Sequence, residues 1–481
     1  MRPGESSMKT TNQTVNQNDS RPVRVALVII NRQLVRSWLD SGLVDSLVNS
    51  GRFEFTVFAE EDVFSKLPDS VSFRKENLGT IKVTRFSKHM VGMGFVEARF
   101  KSKSFRFKLV RGFLPDTWMI RKNGTVLERA IWLFRSVKRL VGNTIDNRMT
   151  LLYYIKPFRI VLRRNLVQNR ELQDLPEVIR LGNYEWLVMP VASSIGFTTD
   201  FLVGARNAGI RSLLAIDNWD HLTGKSIYPI KPDYFTVMGR KDIEHAVAIH
   251  GCDPTTVLPF GLPRFDVYRR LNNTPPRSKS GQKKRVLYCG FSLAHSEKVL
   301  VDRLTSFLVC KYGSDSVEVI YRPHPGPAPR YDGYEISNPN VIVTDHGDVT
   351  RTAMPAMDET FVSTILDADV IVGAPTTLIL EALILGKDCV LDLTIDDFHR
   401  TTAGNSALNH THMIDLTEIT EVMRGNSIME VIEAVDELLS RVDKSTKPKI
   451  SDFYDVGAAT YEIQLASFLL SHASHSCQPN D

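Results

Sequence analysis

The chain has 481 residues, 43% of them apolar, and a formal charge of +4 at pH 7. It is too long for one ordinary domain and apolar enough for a large core, so two domains of similar size are expected. The charge is modest but unevenly spread and no nucleic-acid partner is expected, and no apolar run approaches the roughly 18 residues that a spanning helix needs.

The N-terminal segment "MRPGESSMKTTNQTVNQNDSRP" carries no apolar signal-peptide core, so residues 1–21 read as a disordered leader on a cytoplasmic protein. The cysteines Cys252, Cys289, Cys310, Cys389 and Cys477 show no CxxC spacing and predict neither a disulfide framework nor a zinc site. The first clear unit is "VRVALVII", then "NRQLVRSWLDSGLVDSLVNSG", then "FEFTVFAE". The outer runs are short, β-branched and apolar throughout, as in a sheet buried on both faces, and the middle has helical spacing ending in Gly51. This predicts a β-α-β opening.

From about 90 to 172 the sequence is basic and helical, with segments such as "RFKSKSFRFKLVRGFL", "RSVKRLVG" and "KPFRIVLRRNLVQNR", and across this region Lys and Arg are interleaved with Phe, Leu, Trp and Tyr. Two readings stand side by side: a surface for an anionic membrane or polymer, centred on 97–170, or helices whose arginines only face solvent. Alternation then resumes through "EWLVMPVA", "DFLVGARNAG", "RSLLAI", "YFTVMG", "RKDIEHAVAIHG" and "TTVLPFG". Strands separated by helices of this length imply parallel pairing with right-handed crossovers, so residues 22–267 read as one doubly wound domain. The polar, Pro- and Ser-rich stretch 268–284 is the expected linker.

The second half repeats the pattern through "RVLYCG", "VEVIY", "VIVT", "DVIVG" and "DCVLDL". It gives a second Rossmann-like domain over 285–445, followed by a C-terminal helix and tail over 446–481. The fold class is therefore α/β, two doubly wound parallel-sheet domains facing a cleft, with ligands expected at the carboxyl ends of the strands.

The loop "GAPTTLILEALILGK" ends a strand with Gly373 and offers Thr376 or Thr377 as helix cap, leaving backbone N–H groups for an anion such as a diphosphate. Glu381 lies one turn beyond Thr377, where its carboxylate could accept bonds from ribose hydroxyls. This pattern resembles the donor-binding helix of GT-B fold glycosyltransferases. The resemblance implies that Glu381 binds the nucleotide ribose and that Gly373, Thr376 and Thr377 bind phosphate.

"YRPHPGPAPR" follows strand "VEVIY" and brings Arg322 and His324 to the same edge on a proline-stiffened backbone. "RPHP" resembles the His-Pro motif of CMP-sialic acid and CDP-glycerol using transferases. That resemblance implies that His324 stabilises the departing nucleotide phosphate with help from Arg322. The loop "CGFSLAHSE", with Gly290, Ser292 and His295, resembles in its position the loop with which such enzymes cradle a donor phosphate or the nucleobase.

In the first domain, "AIDNWDHLTGK" crowds Asp217, Asn218, Trp219, Asp220, His221 and Lys225 at one strand end, and "ASSIGFTTD" carries Ser193, Ser194, Thr198 and Asp200 on the next. An inverting transferase must deprotonate an acceptor hydroxyl, so Asp200, Asp220 and His221 are the candidate bases, in no fixed order. "FGLPRFD" resembles the end of the first domain in UDP-N-acetylglucosamine 2-epimerases and glycerophosphotransferases, implying a structural turn at Gly261, Pro263 and Asp266.

The chain lacks the "DYSS"-type loop of teichoic acid polymerases and the epimerases' His-Arg-Glu-Asn signature. The resemblance thus implies a transferase using a CDP-, CMP- or UDP-linked donor, and a glycan or lipid-linked acceptor in cell-surface polysaccharide synthesis, peripheral on the inner membrane face. No DxD-type motif stands out, so no obligatory metal is expected. A nucleotide-sugar epimerase of the same fold and a non-catalytic anionic-polymer module are the alternative readings.

Overall fold

The structure is a computed structural model. It describes residues 21–70, 72–113, 125–127, 129–131, 133–134, 152–168, 177–191, 196–272, 283–292, 297–324, 334–344, 359–396, 402–441, 450–455 and 457–473. The leader up to residue 20, Ser193, Ser194, His295, Cys477, residues 273–282 of the expected linker and the segment 325–333 behind His324 lie outside the described residues.

The first sheet holds β1 (Val23–Ile29), β2 (Phe53–Ala59), β3 (Arg74–Asn77), β4 (Trp186–Val191), β5 (Arg211–Ile216), β6 (Tyr234–Thr236) and β7 (Val257–Leu258), in the order β3-β2-β1-β4-β5-β6-β7. All its pairings are parallel, with Val25 opposite both Phe55 and Trp186. From Val25 to Ile29 the strand is essentially inaccessible, as its unbroken apolar run requires of a sheet covered on both faces. Between β3 and β4 lies the helical insertion: α1 (Arg85–Lys101), α2 (Lys103–Phe113) and α3 (Lys156–Gln168). Then α4 (Gly196–Asn207) follows β4, and α5 (Arg240–His250) ends at Gly251, whose φ of +66° suits glycine.

The chain leaves the first domain through α6 (Phe265–Asn272). Residues 268–272 were expected to open the linker. Instead, Phe265 and Tyr268 stack with ring centroids 5.4 Å apart and bury themselves in the core of the second domain. Two aromatic residues at i, i+3 make an apolar face that the surrounding polar composition masks in the sequence.

The second sheet contains β8 (Lys284–Cys289), β9 (Val317–Arg322), β10 (Val341–Val343), β11 (Val370–Gly373), β12 (Asp388–Asp392) and β13 (Met423–Gly425), in the order β10-β9-β8-β11-β12-β13. Its pairings are also all parallel. The helices that matter here are α7 (Glu297–Tyr312) after β8, α8 (Thr377–Ile384) after β11, and α9 (Thr411–Thr417). The C-terminal α10 (Tyr461–Ser471) crosses back, placing Tyr461, Leu465 and Leu469 in the first domain's core.

The strand order reverses between β1 and β4 in one sheet and between β8 and β11 in the other. Such switch points open crevices at the carboxyl edge of a parallel sheet. No helix among the described residues is long and apolar enough to cross a membrane.

Candidate active site

At the switch point of the second sheet, the Gly290 N–H donates to the Arg322 carbonyl at 2.8 Å, tying the end of β8 to the end of β9. A Cβ on Gly290 would sit 2.7 Å from the His324 nitrogen and 3.0 Å from the Arg322 carbonyl; one on Gly373 would sit 2.8 Å from the Cys289 carbonyl. Both glycines are therefore demanded by backbone approach. Glu297, at the start of α7, fixes the same corner: its Oε2 accepts from the Phe291 N–H at 2.8 Å and its Oε1 from the Tyr321 hydroxyl at 2.5 Å. Sequence reasoning missed Glu297, although a buried glutamate opening a helix was a signal. Arg322 is buried at this edge, and burial lowers its pKa against the opposing pull of Cys289 and Glu381. Ser292 is exposed.

Thr376 holds the N-cap position of α8, yet its side chain makes no capping bond, contrary to the expectation of a hydroxyl cap. Thr377 turns to the other domain instead: its Oγ1 accepts from Trp219 Nε1 at 3.1 Å and donates to Asn218 Oδ1 at 3.3 Å. One turn on, Glu381 is buried, and its Oε1 accepts from Arg264 Nε at 3.2 Å. Arg264 Nη1 donates in turn to the Asp217 carbonyl at 2.7 Å. The ribose role expected of Glu381 thus meets a prior tenant, because a carboxylate inside "LILEALIL" needs a countercharge. Burial raises the pKa of Glu381, while Arg264, a hydrogen bond from Tyr268 and Arg322 oppose it. Arg264 and Tyr268 went unnoticed in the sequence; the charged residue inside "GLPRF" was the available signal.

The structure joins this edge to the loop after β5. Asp217 Oδ2 accepts from Gln33 Nε2 at 3.2 Å, and its Oδ1 lies 3.7 Å from Arg264 Nη1. Burial pushes the Asp217 carboxyl up to about 6 despite Arg264 and Lys225. Asp220 Oδ2 pairs with Lys225 Nζ at 2.7 Å; burial would raise its pKa, but Lys225 and the neighbouring histidines hold it down to about 2. His221 Nε2 lies 3.9 Å from Asp220 Oδ1, and burial pushes His221 down to about 4, so its imidazole is neutral at pH 7. From the second domain, His412 Nδ1 meets Thr223 Oγ1 at 2.7 Å, and burial takes His412 down to about 3. Three buried atoms, Asp217 Oδ1, Asp220 Oδ1 and His221 Nδ1, have no hydrogen-bond partner among the described residues. Buried polar atoms without partners are rare enough to need a cause, and a ligand is one.

No family profile matches the chain, and no curated protein matches it. Solved structures do. A candidate UDP-N-acetylglucosamine 2-epimerase from Listeria monocytogenes aligns over 96% of this chain and 99% of its own, with a TM-score of 0.51 at 13% identity. The chain has the GT-B fold. The UDP-GlcNAc 2-epimerase of Methanocaldococcus jannaschii aligns over 93% and 100% with a TM-score of 0.48 at 10% identity, and the wall teichoic acid polymerase TagF over 93% and 88% with 0.40 at 10%.

Within the GT-B architecture, Asp220 and His221 sit on the loop that reaches across to α8, whereas Asp200 does not join them. It lies in α4, where its Oδ1 accepts from Thr84 Oγ1 at 2.5 Å and from the Ser87 hydroxyl, and its Oδ2 from the Thr84 N–H at 3.0 Å. Thr84 caps α1, so Asp200 braces the helical insertion against α4. Asp266 likewise has a structural task, accepting at Oδ1 from the Tyr461 N–H at 3.1 Å to hold the returning helix α10.

Proposed function

We propose that the protein is a transferase that moves a sugar or polyol phosphate from a nucleotide-activated donor to a glycan or lipid-linked acceptor. One observation carries the reading: Asp220 Oδ1 and Nδ1 of neutral His221, buried and without a hydrogen-bond partner among the described residues, lie on the loop that also meets the N-terminus of α8, whose N-cap side chain makes no capping bond. One side of the junction offers a proton acceptor and the other an anion site, which is the division of labour that group transfer requires.

In this reading the donor diphosphate lies against the first-turn N–H groups of α8 and the strand ends bearing Gly290, Arg322 and His324. The acceptor hydroxyl gives its proton to His221 as its oxygen bonds to the donor carbon or phosphorus. The bond from that atom to the nucleotide phosphate oxygen breaks, and α8, Arg322 and His324 hold the departing charge. A bound diphosphate raises the His221 pKa from its low value towards neutrality, where a base works best. The CDP-, CMP- or UDP-linked identity of the donor, and cell-surface polysaccharide as the product, belong to this proposal. The likeness in fold to a candidate nucleotide-sugar enzyme agrees with it.

The test is a thermal-shift screen of CMP, CDP, UDP, UMP and GDP against wild type, His324→Ala and Glu381→Ala. One nucleotide should raise the melting temperature of the wild type and lose its effect in His324→Ala. Glu381→Ala weighs less, since it also strips Arg264 of a partner. No shift with any nucleotide would sink the reading.

A further inference from the structure

The helical insertion has two unlike sides. On α3, Phe158, Leu162 and Leu166 pack inward on the cluster around Met90 and Met93. Outward face Lys156, Ile160, Val161 and Arg164, with Ile160 59% and Val161 66% exposed, and Ile155 just upstream is 52% exposed. At the corner between α1 and α2, Phe100 is 66% exposed and is followed by exposed Lys101, Lys103 and Arg106. Arg99 donates to the Tyr154 hydroxyl, so the corner and the entrance to α3 form one continuous surface. Across 97–108 and 152–168 the only acidic residue is Glu97, and Arg163 pairs with it at 3.0 Å.

We propose that this surface docks on an anionic bilayer and so sets the domain junction beside the lipid–water interface. Large apolar side chains standing out among cations gain nothing in water, but gain twice at an anionic membrane: the chains enter the headgroup region while the cations meet lipid phosphates. A soluble polyanion would satisfy the cations and leave Ile155, Ile160, Val161 and Phe100 wet.

The inner side of the insertion explains what docking achieves. Ser102 Oγ donates to the Thr223 carbonyl at 2.6 Å, Lys108 Nζ to the Gly224 carbonyl at 2.6 Å, and Ser104 Oγ accepts from the Thr411 N–H at 2.8 Å. The residues that open α2 therefore touch the loop carrying His221 and, in the other domain, α9. A bilayer on the outer side is thereby linked through α2 to the loop carrying His221, and that the acceptor is lipid-linked rests on the transferase reading.

The test is cosedimentation of the full chain with vesicles of phosphatidylcholine alone and with about a third phosphatidylglycerol, for wild type and for Ile160→Glu/Val161→Glu. Both substituted positions are exposed, so the fold is kept, and circular dichroism checks it. Wild type should bind the anionic vesicles only, lose binding in high salt, and weaken about tenfold or more in the double variant. Absent binding, equal binding to neutral vesicles, unchanged binding by the double variant, or binding to poly-glutamate without binding to vesicles would overturn the proposal. The nucleotide screen is run without lipid on the same proteins. Vesicle binding without a nucleotide shift would leave the docking surface standing and remove the transferase reading, and the reverse result would do the opposite.

Discussion

Arg264 Nε lies 3.2 Å from Glu381 Oε1 with both side chains buried, and this pair fastens the turn leaving the first domain to the helix that opens at the second domain's switch point. The same guanidinium binds the Asp217 carbonyl, so one residue joins the two halves of the junction. Removing Arg264 would leave Glu381 and Asp217 buried without the cation that acts most strongly on each. Arg264→Met is expected to lose about 3–5 kcal/mol in urea unfolding. Arg264→Lys should recover only part of it, because a point charge cannot serve both partners with one fork. A loss below about 1 kcal/mol would show the pair to be peripheral.

A second tie between the domains is set by pH. His245 Nε2 in α5 lies 2.8 Å from Asp415 Oδ2 in α9, with Lys241 and Asp242 alongside. Burial opposes the charge on His245, but Asp242 and Asp415 outweigh it and raise the histidine to about 9. A folded-state pKa above the unfolded value of about 6.5 means stability that is whole below that pH and lost as pH rises through about 9. The stabilisation should amount to roughly 3 kcal/mol. Asp415→Asn should flatten this part of the stability-against-pH curve; an unchanged slope would count against the pair.

Gly290→Ala tests the crowded corner of the second sheet. The new Cβ would press within 3.0 Å of backbone atoms of both Arg322 and His324, which cannot yield as a side chain would. The expected cost is about 1–3 kcal/mol of stability, with loss of the nucleotide-induced thermal shift at a temperature where the variant is still folded. Retained nucleotide binding would place the donor elsewhere.

His221 is neutral at physiological pH because burial holds it down to about 4. The acidic limb of kcat/KM, which reports the free enzyme, should fall near pH 4 rather than near the 6.5 of an ordinary histidine. His221→Gln should abolish turnover while keeping the nucleotide shift. A normal limb near 6.5, or full activity in the variant, would remove His221 as base.

The strands of both sheets were legible because a parallel strand covered on two faces must be apolar along its length, as "VRVALVI" and "RVLYC" are. The site was legible in part, since strand ends at a switch point concentrate polar residues whatever their partners. The partners themselves were not. Asp200 reads in "ASSIGFTTD" as a candidate base, but nothing in that stretch shows that Thr84 and Ser87 reach it from more than 100 positions away. Tyr268 sat in a polar, Pro-rich context that reads as linker, and its burial depends on a second-domain core that local periodicity cannot reveal.

What the sequence determined by itself was local and periodic: two α/β halves, a cationic helical insertion within the first of them, and polar or proline-stiffened loops such as "GAPTT" and "RPHP" at the ends of strands. The tertiary structure alone decided which charges neutralise one another. Glu381 could be read as buried, but only the packing of two domains chose Arg264 as its countercharge. Only the same packing left Asp220 and His221 with buried atoms that find no partner among the described residues, because the energy of a buried polar group depends on what lies within hydrogen-bond reach and not on its neighbours in the chain.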